Sequence, residues 1–247
     1  MDLAEISSQT FAGRLLRLPL KAIPERSVMR IMRGRLRGKR WIAGAGNHGC
    51  WLGTYEQHKQ KLFEGEVSSG QVVFDVGANS GFYTLLASEL VGPSGQVVAF
   101  EPLPSNLKYM GQHLVLNGVA NVRVVDSAVT DVDGVARFEV EQSRYMGRIA
   151  ENGTLEVSTV TLDHYCAGAS VRPPNLIKID IEGAEMKALK GAVQLLQSVR
   201  PAIFLATHSA EIHSECCTFL SGLNYLIKPI DCDDLDNARE LFCVYTQ

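Results

Sequence analysis

The chain has 247 residues, 46% of them hydrophobic and 21% charged, with a net charge of -3. That balance fits a soluble globular protein long enough to bury a core without disulfide or metal staples. No apolar run approaches the ~20 residues of a membrane helix, and Met1 to Thr10, with Asp2 and Glu5, lacks the apolar segment of a secretory leader, so a cytoplasmic location is expected.

The charge is uneven. Residues 1–45 hold ten Lys/Arg against three acids, a surplus of +7 that leaves -10 on the remainder. A basic arm on an acidic body suits either an anionic partner, such as a phospholipid surface, or folding back on its own body. Nucleic acid is not expected, because basic and aromatic residues interleave only at Arg40-Trp41. The six cysteines (Cys50, Cys166, Cys216, Cys217, Cys232, Cys243) form no C-x-x-C pair. They are expected as reduced thiols filling the core.

In chain order, residues 11–23 have a partly helical pattern broken by Pro19 and Pro24. Met29 to Ile42 suits a small β-hairpin, and Leu52 to Glu64 suits one helix docking before the core. The expected division is an arm or cap over 1–60 and a catalytic domain over 61–247. From Val72 the rhythm is strand–helix–strand, with strands at Val72–Val76, Val97–Phe100, Val122–Val125, Leu176–Ile181, Ile203–Ala206, Tyr225–Ile230 and Leu241–Tyr245. The early runs are apolar throughout, as for strands covered on both faces. Leu103, Leu107, Met110 and Leu114 mark one amphipathic helix; Met186, Leu189, Val193 and Leu196 mark another. Val135–Val140 and Val157–Leu162 read as an inserted β-ribbon. The polar stretch Ser143 to Gly153 between them is a lid or a surface connection.

Alternating strands and helices predict a doubly wound, mostly parallel α/β sheet with its ligand beyond the carboxyl ends of the strands. The residues at that rim are Asp75–Gly81, Glu101-Pro102, Asp126-Ser127, Asp180–Glu185 and Thr207-His208. Gly77 and Gly81 allow close backbone approach, and Asn79 tolerates a left-handed turn. The G-x-x-x-G spacing is neither a dinucleotide fingerprint nor a P-loop. Asp75 and Glu101 make the site acidic, suited to a sulfonium or ammonium group, with Glu101 placed for ribose hydroxyls. In an extended chain Asp180 and Glu182 share a side. Glu182 and Glu185 can also be first-turn helix acids. His208 is open to three roles: general base, metal ligand beside Asp180, or structural hydrogen bonder. His58, His113 and His213 read as helix-surface residues.

Val73-Phe74-Asp75-Val76-Gly77-Ala78-Asn79-Ser80-Gly81, Ala99-Phe100-Glu101-Pro102, Thr161-Leu162-Asp163 and Ile177-Lys178-Ile179-Asp180-Ile181-Glu182-Gly183-Ala184-Glu185 together resemble the FkbM family of S-adenosylmethionine-dependent methyltransferases. The resemblance covers about residues 50–230. It implies the class I methyltransferase (Rossmann-like) sheet of seven strands, the last antiparallel, and O-methylation of a hydroxyl on a sugar, polyketide or related metabolite. It also implies S-adenosyl-L-methionine held by Asp75, Gly77, Asn79 and Gly81 at its methionine end and by Glu101 at the ribose. The Asp126-Ser127 region would flank adenine, with Pro102 beside Glu101 on the cofactor, and Asp180 and Glu182 would face methyl transfer, where Asp180 or His208 would take the hydroxyl proton. Similar proteins often carry a Glu two residues before that histidine; this chain has Ala206. The rival readings are an NAD-dependent oxidoreductase and a non-catalytic methyltransferase-like binding module. No resident metal is expected.

Overall fold

The structure is a computed structural model describing residue 20 and residues 22–140, 147–150, 152–168 and 171–246. Most of the 11–23 segment, and residues 143–146 and 151 of the 143–153 segment, lie outside those residues. The chain divides into two compact units between Gln57 and His58.

In the first unit, β1 (Val28–Arg30) pairs antiparallel with β2 (Arg40–Ile42), as the hairpin pattern predicts. Ile31, Leu36 and Trp41 are buried, while Arg26, Arg30, Arg35 and Arg37 stay exposed. The helix expected over Leu52–Glu64 is instead two: α1 (Gly49–Leu52) and α2 (Gln57–Glu66). Gly53 (φ 75°) and Glu56 (φ 41°) adopt left-handed conformations, which an α-helix cannot pass through.

The second unit is built on a seven-stranded sheet. Its strands are β3 (Val72–Val76), β4 (Gln96–Phe100), β5 (Val122–Val125), β10 (Leu176–Ile179), β11 (Ala202–Ala206), β12 (Tyr225–Pro229) and β13 (Glu240–Tyr245). They run in the order β12-β13-β11-β10-β3-β4-β5. Only β13 is antiparallel to its neighbours. This is the class I methyltransferase arrangement. The chain leaves β3 in one direction across the sheet and returns through β10 in the other, so the β3–β10 seam is the switch point where open α/β sheets bind ligands.

Alternation along the strands makes two cores. Phe74, Val76, Phe100, Ile177, Ile179, Ile203 and Leu205 face one side, with Leu189, Leu196 and Leu220. There Tyr165 sits edge-on to Phe74 and Phe100 at 6.0 and 5.0 Å. On the other side Phe63 lies between Tyr83 and Phe204, at 5.3 and 5.4 Å. Asp75 and Lys178, which are register partners, project toward this second side. β5 departs from the fully covered expectation: it is the sheet edge, and Arg123 and Val124 are exposed.

Helices α3 (Phe82–Val91) and α4 (Pro104–Leu116) follow β3 and β4 as predicted. The inserted ribbon is larger than two strands. β7 (Gly134–Val140) pairs antiparallel with β9 (Leu155–Val160) and β8 (Gly147–Ile149), and β6 (Ala128–Val129) adds to β9. Gly147–Ile149, inside the expected loop, is therefore strand. Leu162 opens α5 (Leu162–Gly168) rather than ending the ribbon.

The helix expected across Met186–Leu196 is split into α6 (Glu185–Lys190) and α7 (Val193–Ser198). A Cβ on Gly191 would lie 2.1 Å from the Thr130 carbonyl oxygen, so the chain passes there only as glycine. Asp163 then caps α7, accepting from the N–H groups of Gln194 and Leu195 at 2.9 and 2.8 Å. The Thr161-Leu162-Asp163 motif thus serves the fold. Finally α8 (Ala210–Gly222) packs its Cys216 and Leu220 into the first core. None of the six cysteines is in a disulfide; Cys50, Cys216 and Cys243 are buried, Cys166 and Cys217 partly so, and Cys232 is exposed. Among the described residues no helix is long and apolar enough to cross a membrane.

Candidate active site

The turn after β3 is built by three left-handed residues: Gly77 (φ 79°), Asn79 (φ 50°) and Gly81 (φ 90°). A Cβ on Gly77 would stand 2.0 Å from the Asp180 carbonyl oxygen, so glycine lets β3 end directly against the end of β10. The N–H groups of Gly77 and Ala78 both donate to Phe100 O at 3.0 Å. The Asn79 side chain accepts from Ser80 N at 2.7 Å.

Glu101, at the tip of β4, is 4% exposed. Its Oε2 accepts from Asn79 N (2.8 Å), and its Oε1 from Leu103 N (2.9 Å) and Asn106 Nδ2 (3.1 Å). A carboxylate has about four lone-pair sites, so one remains for a ligand hydroxyl unless a protein donor gives way. Burial pushes the Glu101 carboxyl up to about 6, against the opposing pull of those three donors. Asp75 is also buried. Its Oδ2 accepts from Thr84 Oγ1 at 2.7 Å, while its Oδ1 has no hydrogen bond and lies 3.6 Å from Lys178 Nζ. A buried carboxylate oxygen without a hydrogen bond, beside a glycine turn, fits a ligand carrying an ammonium group. Pro102 is half-buried beyond Glu101. Asp126 is exposed and Ser127 half-buried past the end of β5.

His113 and His213 are corrections. Both were expected on helix surfaces and both are buried. His113 Nδ1 donates to Ser80 O at 2.8 Å, pinning the glycine turn from α4, and burial lowers the imidazole to about 4. His213 Nδ1 meets Thr207 Oγ1 at 3.2 Å. Their helices turn those faces inward, which one apolar stripe does not reveal.

Across the β3–β10 seam lies a second cluster. β10 ends at Ile179, two residues sooner than expected, so Asp180 and Glu182 do not share a side by strand alternation. Glu182 (φ 54°) and Gly183 (φ 103°) instead turn the chain back, and both carboxylates reach His208. His208 Nε2 is 3.5 Å from Asp180 Oδ1 and 3.4 Å from Glu182 Oε2. Glu185, in the first turn of α6 and fully buried, accepts from His208 Nδ1 at 2.7 Å and from Gly183 N at 3.0 Å. That hydrogen bond, with the negative charge of Glu185, Glu182 and Asp180, raises His208 above its ordinary value against the effect of burial. The ligand atoms of Asp180, Glu182 and His208 all lie within 4.8 Å of one another, close enough to share a metal ion.

Two buried lysines complete the site. Lys178 Nζ is 3.4 Å and Lys59 Nζ 3.9 Å from Asp180 Oδ2. Both ammonium groups sit over the Tyr83 ring, at 5.2 and 5.6 Å. Burial alone would raise the Asp180 carboxyl; Lys178, Lys59 and His208 outweigh it and hold the group below the usual range. Lys59 also pairs with Glu240 at 2.7 Å. Glu240 faces Ala206 in the β11–β13 register. The neighbouring strand therefore supplies a carboxylate opposite the position where the chain lacks one. Lys59, Lys178, Glu240 and the anchoring role of Glu185 were not anticipated. The one available signal was Lys178, a charge set within the apolar run Leu176-Ile177-Lys178-Ile179.

Residues 75–227 match the family described as Methyltransferase FkbM domain. The chain is 27% identical over 161 residues to the hexuronic acid methyltransferase AglP of Haloferax volcanii, covering 64% of this chain and 63% of that protein. It is 31% identical over 160 residues to the 31-O-demethyl-FK506 methyltransferase FkbM of Streptomyces tacrolimicus, covering 51% and 61%. It thus spans less than two thirds of the length of either relative. Among solved structures, the methyltransferase FkbM of Methylobacillus flagellatus KT superposes with a TM-score of 0.54 at 16% identity, over 80% of this chain and 53% of that one. The family match spans both the glycine turn and the acid–histidine cluster: the chain belongs to the FkbM family of methyltransferases, and S-adenosyl-L-methionine is its cofactor.

Proposed function

We propose that the protein O-methylates a hydroxyl of a sugar or polyketide-like metabolite. The observation that carries this reading is the contact of the two clusters: the Gly77 backbone packs on the Asp180 carbonyl, and Asp180 N donates to Val76 O at 3.1 Å. A donor held at the glycine turn and an acceptor held at Asp180, Glu182 and His208 would meet at the seam. The relatives are consistent in chemical class, since one is named for a hexuronic acid and the other for a demethylated polyketide hydroxyl.

In this reading Asp75 Oδ1 receives the ammonium of the cofactor's methionine end, with Gly77, Asn79 and Gly81 shaping the turn around it. Glu101 takes a ribose hydroxyl, and Pro102, Asp126 and Ser127 line the remaining edge. The cofactor supplies a methyl group on a sulfonium. The protein's contribution is alignment, which can be worth roughly 7–11 kcal/mol. It also places a proton acceptor, typically worth about 10²–10⁴-fold. Within the protein's own side chains that acceptor is His208 Nε2, since Lys178 and Lys59 make Asp180 the weaker base.

The test is calorimetry with S-adenosylhomocysteine, followed by transfer of labelled methyl from the cofactor to a panel of uronic acid glycosides and macrolide alcohols. Micromolar binding and label on a hydroxyl oxygen are expected. Gly77→Ala should weaken binding at least 100-fold, because its Cβ would strike Asp180 O and its left-handed conformation strains any other residue. Binding without label on any hydroxyl, or label on nitrogen or carbon, would overturn O-methylation.

A further inference from the structure

We propose that Asp180 Oδ1, Glu182 Oε2 and His208 Nε2 form a divalent-cation site on the acceptor side of the seam. The inference rests on the methyltransferase reading for its purpose, to hold the acceptor's hydroxyl, but not for its existence.

Two observations separate this cluster from a patch of acids. First, the histidine is set by a group outside the triad. Glu185, fully buried on α6, accepts a hydrogen bond from Nδ1–H, so in the neutral imidazole the lone pair of Nε2 is directed at the two carboxylate oxygens. Metal-bound histidines are oriented in this way by a carboxylate on the far ring nitrogen. Second, the charges on Asp180 are divided by oxygen. Lys178 and Lys59 lie on Oδ2, whereas Oδ1 faces the imidazole. The lysines therefore hold the carboxylate in place without occupying the gap.

Three electron-rich atoms then converge with 3.4 and 3.5 Å from Nε2 to each oxygen. Two positive species suit such a gap: a proton on Nε2, or a divalent ion. An ion about 2.1 Å from each donor sets adjacent donors about 3 Å apart, which small side-chain rotations reach from here. Two oxygens and one nitrogen suit Mg²⁺ or Mn²⁺, with imidazole widening the choice to Zn²⁺. Asp180, Glu182 and His208 are each roughly a quarter to a third exposed, so open coordination positions would face the acceptor. With the ion present, Nε2 is a ligand and His208 is no longer the base. The hydroxyl O–H bond breaks with its proton going to solvent, and the oxygen pair forms the bond to carbon. The carbon–sulfur pair returns to sulfur.

The experiment uses the untagged full-length chain, stripped with EDTA and titrated with Mn²⁺ under electron paramagnetic resonance and calorimetry. One saturable site per chain is expected. His208→Ala and Asp180→Asn should each weaken it at least tenfold, and Glu185→Gln by 10- to 100-fold. Because Asp180 and Glu185 also serve the fold, Glu182→Gln, on a partly exposed side chain, supplies a variant that keeps the structure and should likewise lose at least fivefold. No saturable site, or one indifferent to His208→Ala and Glu182→Gln, overturns the proposal. S-adenosylhomocysteine titrated into the same stripped sample separates the two readings. Cofactor binding without an Mn²⁺ site sinks this inference alone, and an Mn²⁺ site without cofactor binding sinks the donor assignment alone.

Discussion

The two sides of the β3–β10 seam are built on opposite plans. The side proposed to hold the donor is closed on itself: Asp75 and Glu101 are almost wholly buried, Glu101 accepts from the Asn79 and Leu103 backbone and from Asn106, and Asp75 accepts from Thr84. The side proposed for the acceptor is open and charged: Asp180, Glu182 and His208 are partly exposed and gathered from two different strand ends. The glycine-turn side is a shape made by backbone, which needs glycines; the acid–histidine side is a field made by side chains, which needs anchors behind it. Glu185 behind His208 and the two lysines behind Asp180 are those anchors.

Lys178 belongs to both sides, and removing it should break the contrast most severely. Lys178→Met leaves Asp75 and Asp180 without their shared buried cation, a loss of about 3–5 kcal/mol that thermal unfolding will read. A stability within 1 kcal/mol of the parent would mean that the two sides are not joined through this ammonium.

A smaller effect sharpens the donor side. His113 is held down at about 4 from 6.5, so the unfolded chain gains its proton first as pH falls. Stability is full above pH 6.5 and declines toward pH 4, by about 3 kcal/mol at most. Glu101 is raised to about 6 from 4.5, so here the folded chain gains its proton first. Stability rises as pH falls from 6 to 4.5, by about 2 kcal/mol. The two largely cancel in the parent. His113→Gln, able to keep a donor to Ser80 O, should become more stable between pH 6 and 4.5, and Glu101→Gln less stable, both followed by denaturant titration. Parallel pH profiles in the two variants would refute the opposed signs.

The smallest effect belongs to Glu182. Its side chain is 36% exposed, so Glu182→Gln should change folding stability by no more than about 0.5 kcal/mol, measured by chemical denaturation, despite its effect on cation binding. A loss above 2 kcal/mol would place Glu182 with the closed side of the seam.

How far each feature could be read in advance follows the same division. Val72–Val76, Gln96–Phe100 and the turn between Asp75 and Gly81 were legible because a buried strand entering a glycine turn leaves a local pattern. The break at Gly191 was not, because its cause is the Thr130 carbonyl, sixty-one positions earlier in the chain. Nor was the burial of His113, whose partner is Ser80 O on another element. Glu182 was placed correctly beside Asp180 but for the wrong reason, since a left-handed turn and not strand alternation brings it there.

What local chemistry specified was the order of strands and helices, the acidic glycine turn, and the carboxylates and histidine at the strand tips. Hydrophobic period and backbone permissiveness act over a few residues, so a linear reading captures them. Which oxygen of Asp180 meets a lysine and which meets His208 was settled by packing. So were the position of Glu240 opposite Ala206 and the lone pair that Glu185 turns toward two acids. Those relations join residues as many as 121 apart in the chain. They exist only once the sheet has brought α2, β10, β11 and β13 to one seam, where low dielectric makes each pairing costly to leave unmade.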